Sequence, residues 1–81
     1  MGENVYTEIR KKIGKNFKKQ REKQKLSLRQ VEAITGIGFS WISKFEKGMV
    51  NFEIDTLVKL SSGLNVYLRD LCDFTHGFVD E

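Results

Sequence analysis

No proline interrupts this chain, and no stretch of it alternates apolar and polar residues as a half-buried strand would. A single cysteine, Cys72, excludes an internal disulfide and agrees with a reducing cytoplasm. Cys72 and the lone His76 offer two potential ligands, too few for a zinc site. Cys72 therefore reads as a small core residue, and no metal is expected. No apolar run approaches membrane-spanning length, and MGENVYTEIRKK lacks the hydrophobic segment of a secretory leader. The opening Met-Gly does not make a myristoylation site, because Tyr6 stands where Ser or Thr is required. With one histidine there is no Ser-His-Asp set, and a phosphate-binding loop and a cleft-forming acid pair are missing too. These gaps argue against an enzyme and give no sign of a cofactor or a small-molecule ligand.

What remains is a chain of 81 residues, 40% apolar and 31% charged, which fits one globular domain over 1–81 with an economical core. Its net charge of +3 is unevenly spread. Arg10 to Lys25 holds nine basic residues against one acid, whereas Asn51 to Glu81 holds two against six. Such asymmetry points one side of the molecule at a polyanion, although a solvated lysine face has the same composition.

Apolar spacing predicts five short helices. The first runs from about Tyr6 to Gln24, with Ile9, Ile13 and Phe17 in one stripe and Lys11, Lys12, Lys15, Lys18, Lys19 and Lys23 opposite. Gly14 inside it costs roughly 1 kcal/mol against Ala and signals close packing. Arg21 lies on the border of the stripe, as a residue tied to a partner would. Helices over 54–62 (Ile54, Leu57, Val58 and Leu60 apolar, ended by Gly63 and Asn65) and near 67–73 (Leu68, Leu71, Cys72) close the chain, and 75–81 reads as a loose tail.

Between them lies SLRQVEAITGIGFSWISKFEKG, residues 27–48. Ser27 is an N-cap residue ahead of Leu28, Val31, Ile34 and Thr35, which share a helix face. Gly36 and Gly38 pin a turn, and Gly48 suits the C′ position of a second helix starting near Phe39 or Ser40. On that second helix Ile42 and Phe45 fall together, with Trp41 on their flank and Glu46 beside Ile42. Ser40, Ser43, Lys44 and Lys47 fall on the other side, where hydroxyls and cations can meet base edges and phosphates. An ordinary amphipathic helix would show the same wheel. The pairing of two short helices across a tight turn is the geometry of a helix-turn-helix.

With these residues in place, the chain resembles the XRE-type helix-turn-helix regulators, the Cro and phage-repressor-like DNA-binding domains. The resemblance covers about Ile13 to Phe74 and rests on IGKNFKKQREKQKLS, the TGIG turn, WISKFEKG and DTLVKLSSGLNVYLRDL, in that order. It implies an all-α, compact five-helix lambda-repressor-like domain that acts as a transcriptional regulator, usually as a dimer on a palindromic operator. It also implies a partner for Arg21, namely Glu46, as a structural pair that orients the recognition helix. Carried over residue by residue, the DNA-contacting positions are Phe39 and Ser40 at the start of that helix and Ser43 and Lys44 in its outward middle. Lys47, Asn51 and Arg29 complete the expected DNA-binding set. Leu28 replaces a frequent Gln, which leaves backbone N–H groups at the helix N-terminus to hold a phosphate. Phe39 either touches thymine methyls or turns into the core. Trp41 either lies along a sugar-phosphate strand or packs partly inside. Glu32 replaces a small Ala and is expected to widen the helix crossing or to pair with Arg29.

The C-terminal end is the expected homodimer surface. Val66, Tyr67, Leu68, Leu71, Phe74 and Phe78, rimmed by Arg69, Asp70 and Asp73, offer more apolar area than one short helix hides easily. Leu68 and Leu71 equally suit the closing of the core. The same fold also serves as a protein-interaction module that binds a toxin or a polymerase subunit, and that is the alternative to double-stranded DNA as partner.

Overall fold

A computed structural model describes residues 2–73 of the chain, with side chains from Val5 onward. The described residues form five helices and no strand: α1 (Gly2–Lys23), α2 (Leu28–Thr35), α3 (Phe39–Glu46), α4 (Ile54–Gly63) and α5 (Leu68–Leu71). α1 begins four residues before its expected start, since neither proline nor glycine stands between positions 3 and 13 to stop it. α5 is shorter than expected and spans a single turn. Phe74, His76, Phe78 and the rest of the expected tail lie outside the described residues.

The core is the set Ile13, Phe17, Val31, Ile42, Phe45, Leu57, Leu60, Leu64 and Leu71, so every helix contributes at least one side chain or flanking residue. Phe45 sits at its centre. Its ring meets Phe17 edge-on at 5.6 Å and Phe52 edge-on at 5.1 Å, and stacks on Trp41 at 5.4 Å. One side chain thereby ties α1, α3 and the loop after α3 together, with edge-to-face contacts adding to plain burial.

Four expectations need correction. On α4, Ile54 and Val58 are 61% and 48% exposed, and the inward face is Leu57, Leu60, Ser61 and Leu64. That set follows the i, i+3, i+4, i+7 rule with a serine in one slot, so a count of apolar residues alone misplaces the stripe. Ser61 is tolerated there because its hydroxyl donates to the Val58 carbonyl at 3.1 Å. Ile34 on α2 is likewise half exposed. Gly63 is the last residue of α4 and not its terminator; the reversal is made by Asn65, at φ +60°. Finally, Leu71 is fully buried, so it closes the core and is removed from any dimer surface.

Three side-chain amides and guanidines staple the connections. Asn16 donates to the Leu71 carbonyl at 2.8 Å, Gln24 to the Leu64 carbonyl at 2.8 Å, and Arg21 to the Leu26 carbonyl at 2.9 Å. Each satisfies a carbonyl at a helix end or in a connection, where the regular ladder offers no partner. α1 thus packs on α3 and α5 and, with Gln24 just after it, ties down the residues that follow it and α4, while α2 packs on α3 and α4.

Candidate nucleic-acid interface

The α2–turn–α3 unit is built by local chemistry. Ser27 closes a capping box: its hydroxyl accepts from the Gln30 N–H at 3.1 Å, and the Gln30 side chain accepts from the Ser27 N–H at 2.7 Å. Gly36 ends α2 at φ +79°, a left-handed conformation that glycine enters freely. Thr35 then fixes the turn from within. Its hydroxyl donates to the Val31 carbonyl at 2.8 Å and accepts from the Ile37 N–H at 3.1 Å. By spacing alone Thr35 counts as an apolar position; the signal for its second role is a threonine directly before the capping glycine.

α3 is held from behind by α1. A Cβ on Gly14 would collide with the Phe45 carbonyl oxygen and come within 2.8 Å of the Glu46 carbonyl oxygen, so α1 touches the backbone of α3 directly. Gly48, just past α3 at φ +74°, faces Lys11 in the same way: a Cβ there would lie 2.9 Å from the Lys11 Cα. Arg21 completes the clamp with a bidentate pair, Nε to Glu46 Oε2 at 2.7 Å and Nη2 to Oε1 at 3.0 Å. The two side chains are 12% and 5% exposed. The Glu46 hydrogen bond raises the Arg21 guanidinium above its already high range, so the cation persists at any pH at which the domain folds. The fork geometry fixes the roll of α3 about its own axis as well as its distance from α1.

Residues 17–71 match the helix-turn-helix family HTH_3. The chain belongs to that helix-turn-helix family. An uncharacterized HTH-type transcriptional regulator of Sinorhizobium fredii is 34% identical over 59 residues, which cover 73% of this chain and 77% of that one. Among solved structures, the restriction-modification controller protein C.AhdI from Aeromonas hydrophila shares the fold, with TM-score 0.72 and 24% identity over 75% of this chain and 92% of that chain.

Within this helix-turn-helix, Ile42 and Phe45 point inward and are fully buried, while Ser40, Lys44 and Lys47 are exposed and Ser43 is half exposed. The four polar residues thus share the face turned away from α1. Asn51 is exposed in the loop after α3. Together with Ile37, Trp41, Phe52, Glu53 and Thr56 it lines an open groove of about 420 Å³ beside the recognition helix. Trp41 is half-buried against the core and stacked on Phe45. The Leu28 side chain also packs against the core. The N–H groups of the first turn of α2 lie outside the regular helix ladder. Phe39 does not join the core; its ring carries the Arg29 guanidinium at 4.2 Å from the centroid. Arg29 therefore reaches forward to α3 instead of pairing with Glu32. Cys72 is half-buried, and burial pushes its thiol pKa up, away from reactivity.

The basic face of α1 stays as expected in Lys11, Lys15, Lys18, Lys19 and Lys23, all exposed, while Lys12 is half exposed. At the C-terminal end, Tyr67 is 67% exposed with Arg69 stacked on its ring at 4.5 Å, and Val66 is half-buried against the core. No helix among the described residues is long and apolar enough to cross a membrane.

Proposed function

We propose that this chain is a sequence-specific, DNA-binding transcriptional regulator that lays α3 in the major groove of double-stranded DNA. The observation that carries the reading is the division of α3 into two faces. One is clamped to α1 through Gly14 and the Arg21–Glu46 fork; the other presents Ser40, Ser43, Lys44 and Lys47 to solvent. A helix locked in roll and distance on one side and polar on the other is what base reading needs. In this reading Ser40, Ser43 and Lys44 meet base edges, and Lys47 and Asn51 meet phosphates. The first-turn N–H groups of Leu28 and Arg29 hold a phosphate at the N-terminus of α2. The Trp41 indole, packed on one side, borders the backbone-facing groove on the other.

The regulator acts in the cytoplasm as a homodimer on a palindromic operator, joined through its C-terminal region. Val66 and Tyr67 are the described residues of that surface, with Phe74 and Phe78 following in sequence. The similarity to an HTH-type transcriptional regulator of Sinorhizobium and to a restriction-modification controller of Aeromonas supports a regulatory role. Catalysis has no part in it.

Titration of the purified chain against duplex DNA from upstream of its own gene tests the proposal. Affinity should fall with salt at a log–log slope near −0.9 per phosphate neutralised. Lys44→Ala should cost roughly 1–3 kcal/mol on the operator and much less on random duplex if the ammonium reads a base edge. Sedimentation should find two chains per operator. A salt-independent or absent affinity would refute DNA binding and favour a protein partner, and one chain per operator at saturation would refute the dimer.

A further inference from the structure

Arg29 is the second residue of α2 and Phe39 the first residue of α3, and their side chains meet in front of the turn that joins the helices. Phe39 is a large ring left outside the apolar core at the start of the recognition helix. Arg29 is exposed, stacks on that ring at 4.2 Å, and makes no hydrogen bond or ion pair among the described residues. The guanidinium carbon seated over the ring leaves the planar fork of N–H donors without a hydrogen-bond partner among the described residues. The stack also removes rotamer freedom that a free arginine would lose on binding.

We propose that Arg29 and Phe39 form one composite base reader, in which the Arg29 fork takes O6 and N7 of a guanine while the Phe39 ring covers the methyl group of a neighbouring thymine. This rests on the DNA-binding function proposed above and specifies part of its sequence preference. Placement favours a base over a phosphate as the target of Arg29. A phosphate would also accept the fork, but the guanidinium sits over the first residue of α3, the helix proposed to enter the groove. A guanine edge needs two parallel donors from one planar group, which the guanidinium supplies and the ring contact helps to hold at the start of α3. The ring itself sits at the helix start, the end of a recognition helix that enters the groove, where a thymine methyl is the apolar feature available. The preference of this reader is therefore a guanine adjacent to a thymine in each half-site, contributed jointly by α2 and α3.

Selection from a pool of random-sequence duplexes tests the assignment, with the wild-type chain, Arg29→Lys and Phe39→Leu compared at the same salt. The wild type should enrich a half-site with one invariant guanine beside a thymine. Arg29→Lys keeps the charge at an exposed position but loses the fork. It should relax selection at the guanine alone, by roughly 5- to 140-fold in the guanine-to-other-base affinity ratio, with binding to unrelated duplex nearly unchanged. Phe39→Leu keeps an apolar contact but removes the platform, and should relax the guanine while retaining the thymine. Unchanged selection by Arg29→Lys would overturn the composite reader and leave the DNA-binding function standing. Failure of the wild-type chain to enrich any sequence would overturn both.

Discussion

Gly14→Ala is a substitution for which two physical effects of opposite sign compete, and the structure decides between them. Gly14 lies in the interior of a 22-residue helix, where alanine is favoured over glycine by roughly 1 kcal/mol. Helix propensity alone therefore makes the variant more stable. The added Cβ, however, would collide with the Phe45 carbonyl oxygen and approach the Glu46 carbonyl oxygen and carbon to 2.8 and 2.9 Å. These are backbone atoms of α3, which cannot swing aside as a flexible side-chain tip can. Relief requires moving α1 away from α3, which loosens the edge contact of Phe17 on Phe45 and stretches the Arg21–Glu46 fork. Overpacking typically costs 1–3 kcal/mol, and rigid neighbours place this site near ~3 kcal/mol. The net is a destabilisation of about 2 kcal/mol, equivalent to a fall in Tm of about 8–16 °C for a domain of this size. Urea unfolding followed by circular dichroism measures it, with an unchanged m-value marking a native-state effect. A Gly14→Ala variant as stable as the wild type would refute direct backbone contact between α1 and α3.

Two further outcomes follow from the same clamp and from the cap of α2. Glu46→Ala leaves the Arg21 guanidinium in a partly buried site with only the Leu26 carbonyl as partner, and should destabilise the domain by about 3 kcal/mol, the lower end for a broken buried pair. An unchanged melting temperature would show that the fork does not form in solution. Ser27→Ala removes the hydroxyl half of the capping box and should cost about 1 kcal/mol, whereas Ser27→Gly should cost only a few tenths; equal stability of all three proteins by urea titration would show that the box is not formed.

Much of this was legible in the sequence because the decisive signals are local. The Ser27 cap, the Gly36 turn, the Gly48 stop and the inward pair Ile42 and Phe45 each follow from spacing along a few residues. Gly14 and Arg21 announced themselves as residues out of place, a glycine inside a helix and a cation on an apolar border. The polar stapling was not legible. Asn16 and Gln24 reach carbonyls 55 and 40 residues away, and no short window contains both partners. The inward face of α4 was read in half: Leu57 and Leu60 are buried as expected, but Ser61 holds a core position while Ile54 and Val58 are exposed. Arg29 was expected in the DNA-binding set, with a pair to Glu32 as one alternative, and its contact with Phe39 was not legible, since helical spacing cannot show that α3 brings an aromatic face within reach.

α3 and its C-cap residue Lys47 thus carry two independent demands, and the chain separates them by face. Positions 41, 42, 45 and 46 pack inward and set where the helix sits; positions 39, 40, 43, 44 and 47 have little or no part in the core. Substitutions in the first set should alter stability, and they alter binding only as far as the helix shifts. Substitutions in the second set should leave the melting curve in place, because the side chains that change contribute little to packing. Effects within one face should couple, since neighbours share contacts, whereas effects across the two faces should add unless the clamp moves. Gly14 is the exception that makes the division visible. The atoms nearest to an added Cβ there are backbone atoms of Phe45 and Glu46, so a methyl group pushes α3 as a body and disturbs both faces at once.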